Sequence, residues 1–257
     1  MPQHPQRSLR HEYDVYVEQE IERYKDSIPR SAILKIGDEA VSSLQSQDQF
    51  GFDELLIWAE VDRLIRRRLR VPTYDTWRRR RIKLIEEYRR PEHWGLSANA
   101  PIVREIVPST ETHVLLAGAQ AEGTALYLVT NGCQITALHE EEEMVERVLS
   151  AAGQVGLTSR VHGTVSAIDR WAPEQPLTAV ICSTAAFAKL SSAECARVIE
   201  VLQGATLDGG VHLVQTIVAG QNALSLEQLR ERYHGWDITV SPDEASSGTF
   251  MARKHLT

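Results

Sequence analysis

The sequence predicts an α/β protein: a mostly parallel β-sheet closed by a C-terminal antiparallel hairpin, preceded by an all-helical N-terminal region. Three observations predict it. From residue 93 onward, short apolar runs alternate with helix-patterned stretches, as in βαβ crossovers. The last two apolar runs, at 236–240 and 248–253, have no helical stretch between them. Before Pro91, apolar residues recur at helical spacing.

Residues 1–10 are polar and predicted to be unstructured, with no apolar stretch of the kind a secretory signal needs. A helix is expected over 11–26, interrupted by Pro29. Ser31 then caps a second helix over 31–43, followed by a polar loop at 46–52. Asp53 opens a third helix, 54–70, in which Leu55, Leu56, Trp58, Val61, Leu64, Ile65 and Leu69 form a broad apolar stripe. Pro72 ends it. Thr73 starts a fourth helix that carries Trp77, Ile82, Leu84, Ile85 and Tyr88 and stops at Pro91. The division drawn from this pattern is a helical extension over 1–92 and a sheet domain over 93–257.

Within the sheet domain, strands are expected at 114–117, 135–138, 160–162, 179–183 and 211–217, with helices at 121–130, 140–152, 191–203 and 225–234. Right-handed crossovers make the five strands parallel. The run from Glu140 to Glu143 is the acidic first turn expected at a helix N-terminus. Between the first strand and its helix, Gly118 marks a sharp turn of the kind that carries a nucleotide-type cofactor. Such loops use several glycines so that backbone can approach the ligand. Here Gln120 and Glu122 occupy the places of the second and third.

Net charge is −7, but unevenly distributed. Residues 1–100 hold 18 Lys and Arg against 17 Asp and Glu, whereas residues 101–257 hold 10 against 18. Two basic clusters, Arg66–Arg67–Arg68 with Arg70 and Arg78–Arg79–Arg80–Arg81 with Lys83, fall on the third and fourth helices. Their alternatives are a solvated face paired with Asp62, Asp75, Glu86 and Glu87, or a docking surface for an anionic partner. No run of 18 apolar residues is present, so no membrane-spanning helix is expected. Cys133, Cys182 and Cys195 lack metal-ligand spacing and read as buried reduced thiols of a cytoplasmic protein.

The sheet domain resembles the class I S-adenosylmethionine-dependent methyltransferases, and among them the tellurite-resistance-type small methyltransferases. The resemblance covers roughly the last 160 residues. It rests on His93-Trp94-Gly95-Leu96 before the domain, Gly123-Thr124-Ala125-Leu126 after the loop and Asn131-Gly132-Cys133-Gln134 into the second strand. It continues with Ser183-Thr184-Ala185-Ala186-Phe187 after the fourth strand, Asp208-Gly209-Gly210 before the fifth, and Thr249-Phe250-Met251-Ala252-Arg253-Lys254 at the end. It implies a Rossmann-like methyltransferase sheet. The positions that hold the cofactor in that family depart from its pattern. Leu116 stands where an acid ends the first strand. His139, followed by Glu140, stands where an acid binds the ribose hydroxyls. Val165 or Ser166 replaces the Asp after the third strand, and Ala179 the Asp that starts the fourth.

A ribose diol is held by a carboxylate that accepts two hydrogen bonds, and a neutral imidazole offers one acceptor. The expectation is therefore a non-catalytic methyltransferase-like protein with no bound cofactor. Gly118, Gln120, Glu122, His139 and Glu140 would form its vestigial or altered pocket. It would act as a structural or accessory subunit that docks its N-terminal helices onto a protein partner or larger complex. Arg66, Arg67, Arg70, Arg78, Arg79, Arg81, Trp58 and Trp77 are the expected contacts. An anionic membrane surface is an alternative partner for the same residues, which would place a cytoplasmic protein on a membrane complex. Nucleic acid is disfavoured, because no recognised nucleic-acid-binding motif surrounds them. The alternative is an active methyltransferase with S-adenosylmethionine as cofactor and an atypical loop. No metal site is expected.

Overall fold

A computed structural model describes residues 8–45, 54–118, 122–216, 224–242 and 248–256. The chain forms two compact units that divide between Leu84 and Ile85.

The first unit holds helices α1 (Leu9–Ser27), α2 (Arg30–Gln45), α3 (Glu54–Arg68) and most of α4 (Tyr74–Tyr88). Each of the first three buries one side at i, i+4 and i+8 spacing: Tyr13, Val17 and Ile21 on α1, Ile36, Ala40 and Leu44 on α2, Val61 and Ile65 on α3. Ser8 caps α1 by accepting the His11 N–H at 3.2 Å. Two boundaries differ from expectation. Ser31 does not cap α2; the helix already begins at Arg30, and the Pro29 carbonyl accepts from the Ala32 and Ile33 amides. The third helix stops at Arg68, because Arg70 takes a left-handed φ of 52° before Pro72. The unstructured segment expected over 1–10 is corrected at its end, where Leu9 and Arg10 already belong to α1 because Ser8 caps it; its residues 1–7, the loop 46–52 and the opening Asp53 lie outside the described residues.

The second unit opens with a 3-10 turn (Pro91–Trp94) and a short helix α5 (Pro101–Glu105), neither expected. Then follow β1 (His113–Ala117), α6 (Glu122–Thr130), β2 (Gln134–His139), α7 (Glu142–Gln154), β3 (Val161–Val165), β4 (Leu177–Ser183), α8 (Ser192–Ala205), β5 (Thr206–Thr216), α9 (Leu226–Arg232), β6 (Asp237–Pro242) and β7 (Gly248–Arg253). The sheet runs in the order β3-β2-β1-β4-β5-β7-β6. The five strands β1–β5 pair in parallel, and β7 lies antiparallel between β5 and β6. The mostly parallel sheet with a terminal hairpin is thus borne out.

Alternate residues of the central strands enter two cores, one on each face, as a doubly covered parallel sheet requires. Val114, Leu116, Ile135 and Ile181 pack with α6 and α7. Leu115, Ala117, Val180 and Cys182 pack with α8 and α9. Capping boxes start the latter two helices, Ser191 with Glu194 and Ser225 with Gln228. The acidic run is shifted relative to expectation: α7 begins at Glu142, so Glu140 lies before the helix and not in its first turn. The three cysteines are buried and free, and burial pushes the thiols of Cys133 and Cys182 up to about 11 and about 12.

One buried polar chain crosses the second core. His212 on β5 lies between Thr206 Oγ1 and Tyr233 OH, both at 2.7 Å, and Thr206 donates onward to the Leu202 carbonyl at 2.7 Å. With the threonine proton committed to Leu202, Nε2 of His212 is the donor to Thr206, and Nδ1 accepts from Tyr233. The imidazole is neutral, and burial pushes its pKa down to about 3.

Candidate cofactor cleft

Parallel pairing delivers the C-terminal ends of β1, β2, β3 and β4 to one rim. The connections leave β1 and β4 in opposite directions there, which is where a doubly wound sheet opens a crevice. A cleft of about 190 Å³ lies at this rim, between the ends of β1 and β2, the segment after β3 and the 3-10 turn after β4. Gly118, His139, Glu140, Ser166, Ala186 and Lys189 are among its walls.

Gly118 is held at φ 88°, with its N–H donating to the Leu138 carbonyl at 3.2 Å. A Cβ here would come within 2.9 Å of Ser183 Oγ and 3.3 Å of the Ala186 Cβ, so only glycine keeps this corner open. Ser183 ends β4, is buried, and its hydroxyl has no hydrogen-bond partner among the described residues. A buried hydroxyl without a partner carries a desolvation penalty of about 1–3 kcal/mol.

His139 ends β2. Its Nδ1 accepts the Glu141 N–H at 2.9 Å, and its carbonyl accepts the Ser166 N–H at 2.9 Å. The ring therefore keeps its proton on Nε2 and has a donor to offer, the reverse of a ribose-binding carboxylate. Glu140 follows it and is bonded to Lys189 from the opposite wall. That ammonium holds the Glu140 carboxyl below its ordinary range, and the carboxylate in turn raises Lys189.

Glu122 is the first residue of α6. It does not fill the ligand place: its carboxylate is bonded to Arg147 of α7, at 2.8 Å to Nε and 2.7 Å to Nη2. Gln120 lies outside the described residues. The structure therefore brings Gly118, His139 and Glu140 together and turns Glu122 toward α7. Sequence reasoning gave Lys189 no part in the pocket; its signal is only a cation six residues past the end of β4. A wider groove of about 430 Å³ lies at the opposite ends of β1–β3, lined by His113, His162, Trp171 and Glu174, away from the strand carboxyl ends.

In the helical unit, the basic residues find partners on other helices and not the neighbours expected from sequence. Arg66 donates to Tyr13 OH, Arg68 to Glu39 and Arg81 to Glu12. Asp62 pairs with Lys25 at 2.9 Å, and Arg79 reaches only the Asp75 backbone carbonyl. The side chains of Arg67, Arg70 and Arg78 are exposed and make no hydrogen bond or ion pair among the described residues. Trp77 packs within an aromatic cluster of Tyr13, Tyr16 and Tyr74. Trp58 stays 48% exposed, with Lys25 over its ring at 5.8 Å.

No family model matches the chain, and no curated protein sequence matches it. Solved structures do match its fold. TehB from Haemophilus influenzae superimposes with a TM-score of 0.51 at 17% identity, over 63% of this chain and 65% of that one. This chain therefore spans just under two thirds of TehB's length. A protein from Bordetella parapertussis described as a possible exported protein gives 0.51 at 14% identity, over 97% of this chain and 98% of that one. The glycopeptide N-methyltransferase MtfA, complexed with S-adenosyl-L-homocysteine, gives 0.47 at 12% identity, over 56% of this chain and 82% of that one. The expectation that the domain takes no cofactor is corrected here, because the fold it shares with TehB is that of the S-adenosylmethionine-dependent methyltransferases. The open cleft agrees with the correction, since Glu122 does not close it. The sheet unit has the class I S-adenosylmethionine-dependent methyltransferase fold, and the chain is similar to TehB.

Proposed function

We propose that the sheet unit binds S-adenosylmethionine in this cleft, and that the protein works as an accessory subunit of a larger assembly rather than as a catalyst. The observation that carries the reading is Glu140. It is the first carboxylate after β2, and it is spent on Lys189. The residues fit the ligand in part. Gly118 leaves room for close approach, Ser183 offers an unused hydroxyl, and His139 offers an Nε2 proton. What departs is the ribose contact, where two charge-assisted bonds are replaced by one neutral donor. Each lost contact costs roughly 1–3 kcal/mol, so affinity in the high micromolar range is the expectation.

When bound, S-adenosylmethionine supplies an activated methyl group on a sulfonium. In this reading the chain's own residues hold the ligand without placing a base beside that methyl. The helical unit, with its unpaired arginines, supplies the docking surface. Calorimetric titration with S-adenosylmethionine and S-adenosylhomocysteine, run beside a labelled-methyl transfer assay on cell extract, tests it. Binding without transfer supports the reading, and absence of heat up to millimolar ligand overturns it. A second reading, an active methyltransferase, is favoured by the unpartnered Ser183 hydroxyl beside an open cleft. Methyl transfer needs mainly in-line positioning. Transfer of label would establish that reading.

A further inference from the structure

Helix α3 carries a solvent face of unusual composition. At 100° per residue, Leu55, Leu56, Ala59, Arg63, Arg66 and Arg67 lie on the side away from Val61 and Ile65, whereas Trp58 and Asp62 flank Ile65. Leu55 is 75% exposed and Leu56 44%, and the neighbouring Trp58 is 48% exposed. The helix therefore presents apolar side chains on its first turns and guanidinium groups on its last. Its acids are already engaged. Glu54 accepts from the Trp58 indole at 3.4 Å, Glu60 is bonded to Arg63, and Asp62 to Lys25. Residues 63–83 continue the charge, with ten Lys and Arg against the single acid Asp75. Arg67, Arg70, Arg78 and Lys83 form no side-chain hydrogen bond or ion pair among the described residues. No helix of the described residues is long and apolar enough to cross a membrane.

We propose that this face of the helical unit docks on an anionic phospholipid surface, the arginines meeting headgroup phosphates and Leu55 and Leu56 entering the boundary beneath them. The inference rests on the docking half of the functional reading and names what the helices meet. Phosphates of any kind attract the arginines. A nucleic-acid backbone, however, leaves exposed leucines in water, whereas the headgroup boundary takes up apolar side chains and tryptophan. Each cation near an anionic leaflet contributes about a fivefold gain in binding.

The test is co-sedimentation of the full-length protein with vesicles of phosphatidylglycerol and phosphatidylcholine, compared with phosphatidylcholine alone. The expected result is binding to the anionic vesicles only, weakening as salt rises. The triple charge reversal Arg67→Glu, Arg70→Glu, Arg78→Glu should lower it about 100-fold or more. Those side chains make no hydrogen bond or ion pair among the described residues, and circular dichroism checks that the variant stays helical. Leu55→Gln with Leu56→Gln should weaken binding without changing the salt dependence. Equal binding to both vesicle types, no binding, or an undiminished signal in the charge-reversed variant overturns the proposal. So does binding of duplex RNA or an acidic peptide that the leucine substitutions leave unchanged. Because vesicle binding is read without S-adenosylmethionine, its failure leaves the cleft reading standing. A negative ligand titration leaves the membrane proposal standing.

Discussion

Glu140 and Lys189 meet across the cleft, joining the residue that follows β2 to the segment that follows β4. Both side chains are well exposed, so the pair itself adds little stability. Its consequence is chemical: the first carboxylate after β2 is already committed. Lys189→Ala frees it. The expected outcome is about tenfold tighter S-adenosylmethionine binding by calorimetry, and Glu140→Ala combined with Lys189→Ala should cancel that gain.

Gly118→Ala introduces a methyl against Ser183 Oγ at a backbone φ of 88°. Strain and overpacking together should cost about 1–3 kcal/mol in urea unfolding, with loss of ligand binding. Adding Ser183→Ala removes the contact but not the φ penalty, so stability should recover only in part.

Gly123 sits in the first turn of α6, where a Cβ would collide with the Trp94 carbonyl. Trp94 belongs to the 3-10 turn that leads into the sheet unit, and its indole N–H donates to the Tyr88 carbonyl at 2.6 Å. Because the obstacle is backbone, it cannot rotate away. Gly123→Ala should therefore lower stability by about 1–3 kcal/mol, whereas Gly37→Ala, with open space around it, should be neutral or stabilising.

His212 makes stability depend on pH. Its folded pKa of about 3 lies below the unfolded value of 6.5, so below pH 6.5 the unfolded chain binds a proton that the folded one refuses. The stabilisation is full above pH 6.5. It falls by up to about 1.4 kcal/mol per pH unit as pH drops toward 3. Denaturant unfolding between pH 7 and pH 4, compared with His212→Gln, should show that slope reduced in the variant. Tyr233→Phe should cost about 1–3 kcal/mol at neutral pH by leaving His212 Nδ1 without a donor.

Much of the fold was legible because its signals are local. The strands β1 and β4 are near-continuous apolar runs, since both their faces are covered. The Gly-bounded hairpin β6–β7 has no room for a crossover helix. The cleft was less legible. Gly118 was found from its place after a strand, but the role of Glu122 was misjudged, because its partner Arg147 lies 25 residues away on α7. The basic clusters were equally visible as charge. Their partners Glu12, Glu39 and Tyr13 were not, since all three come from other helices.

What the sequence determined by itself is the order and kind of elements: helices first, then alternating strands and helices, with a glycine turn after the first strand. Periodicity and turn residues encode these over a dozen positions at a time. What only the tertiary structure decided is which charges remain free. Lys189 reaches Glu140 across 49 residues and commits that carboxylate, while Arg67, Arg70 and Arg78 make no hydrogen bond or ion pair among the described residues of the helical unit. Ion pairs are chosen by proximity in space, and a side chain's place on its own helix or strand does not say what faces it.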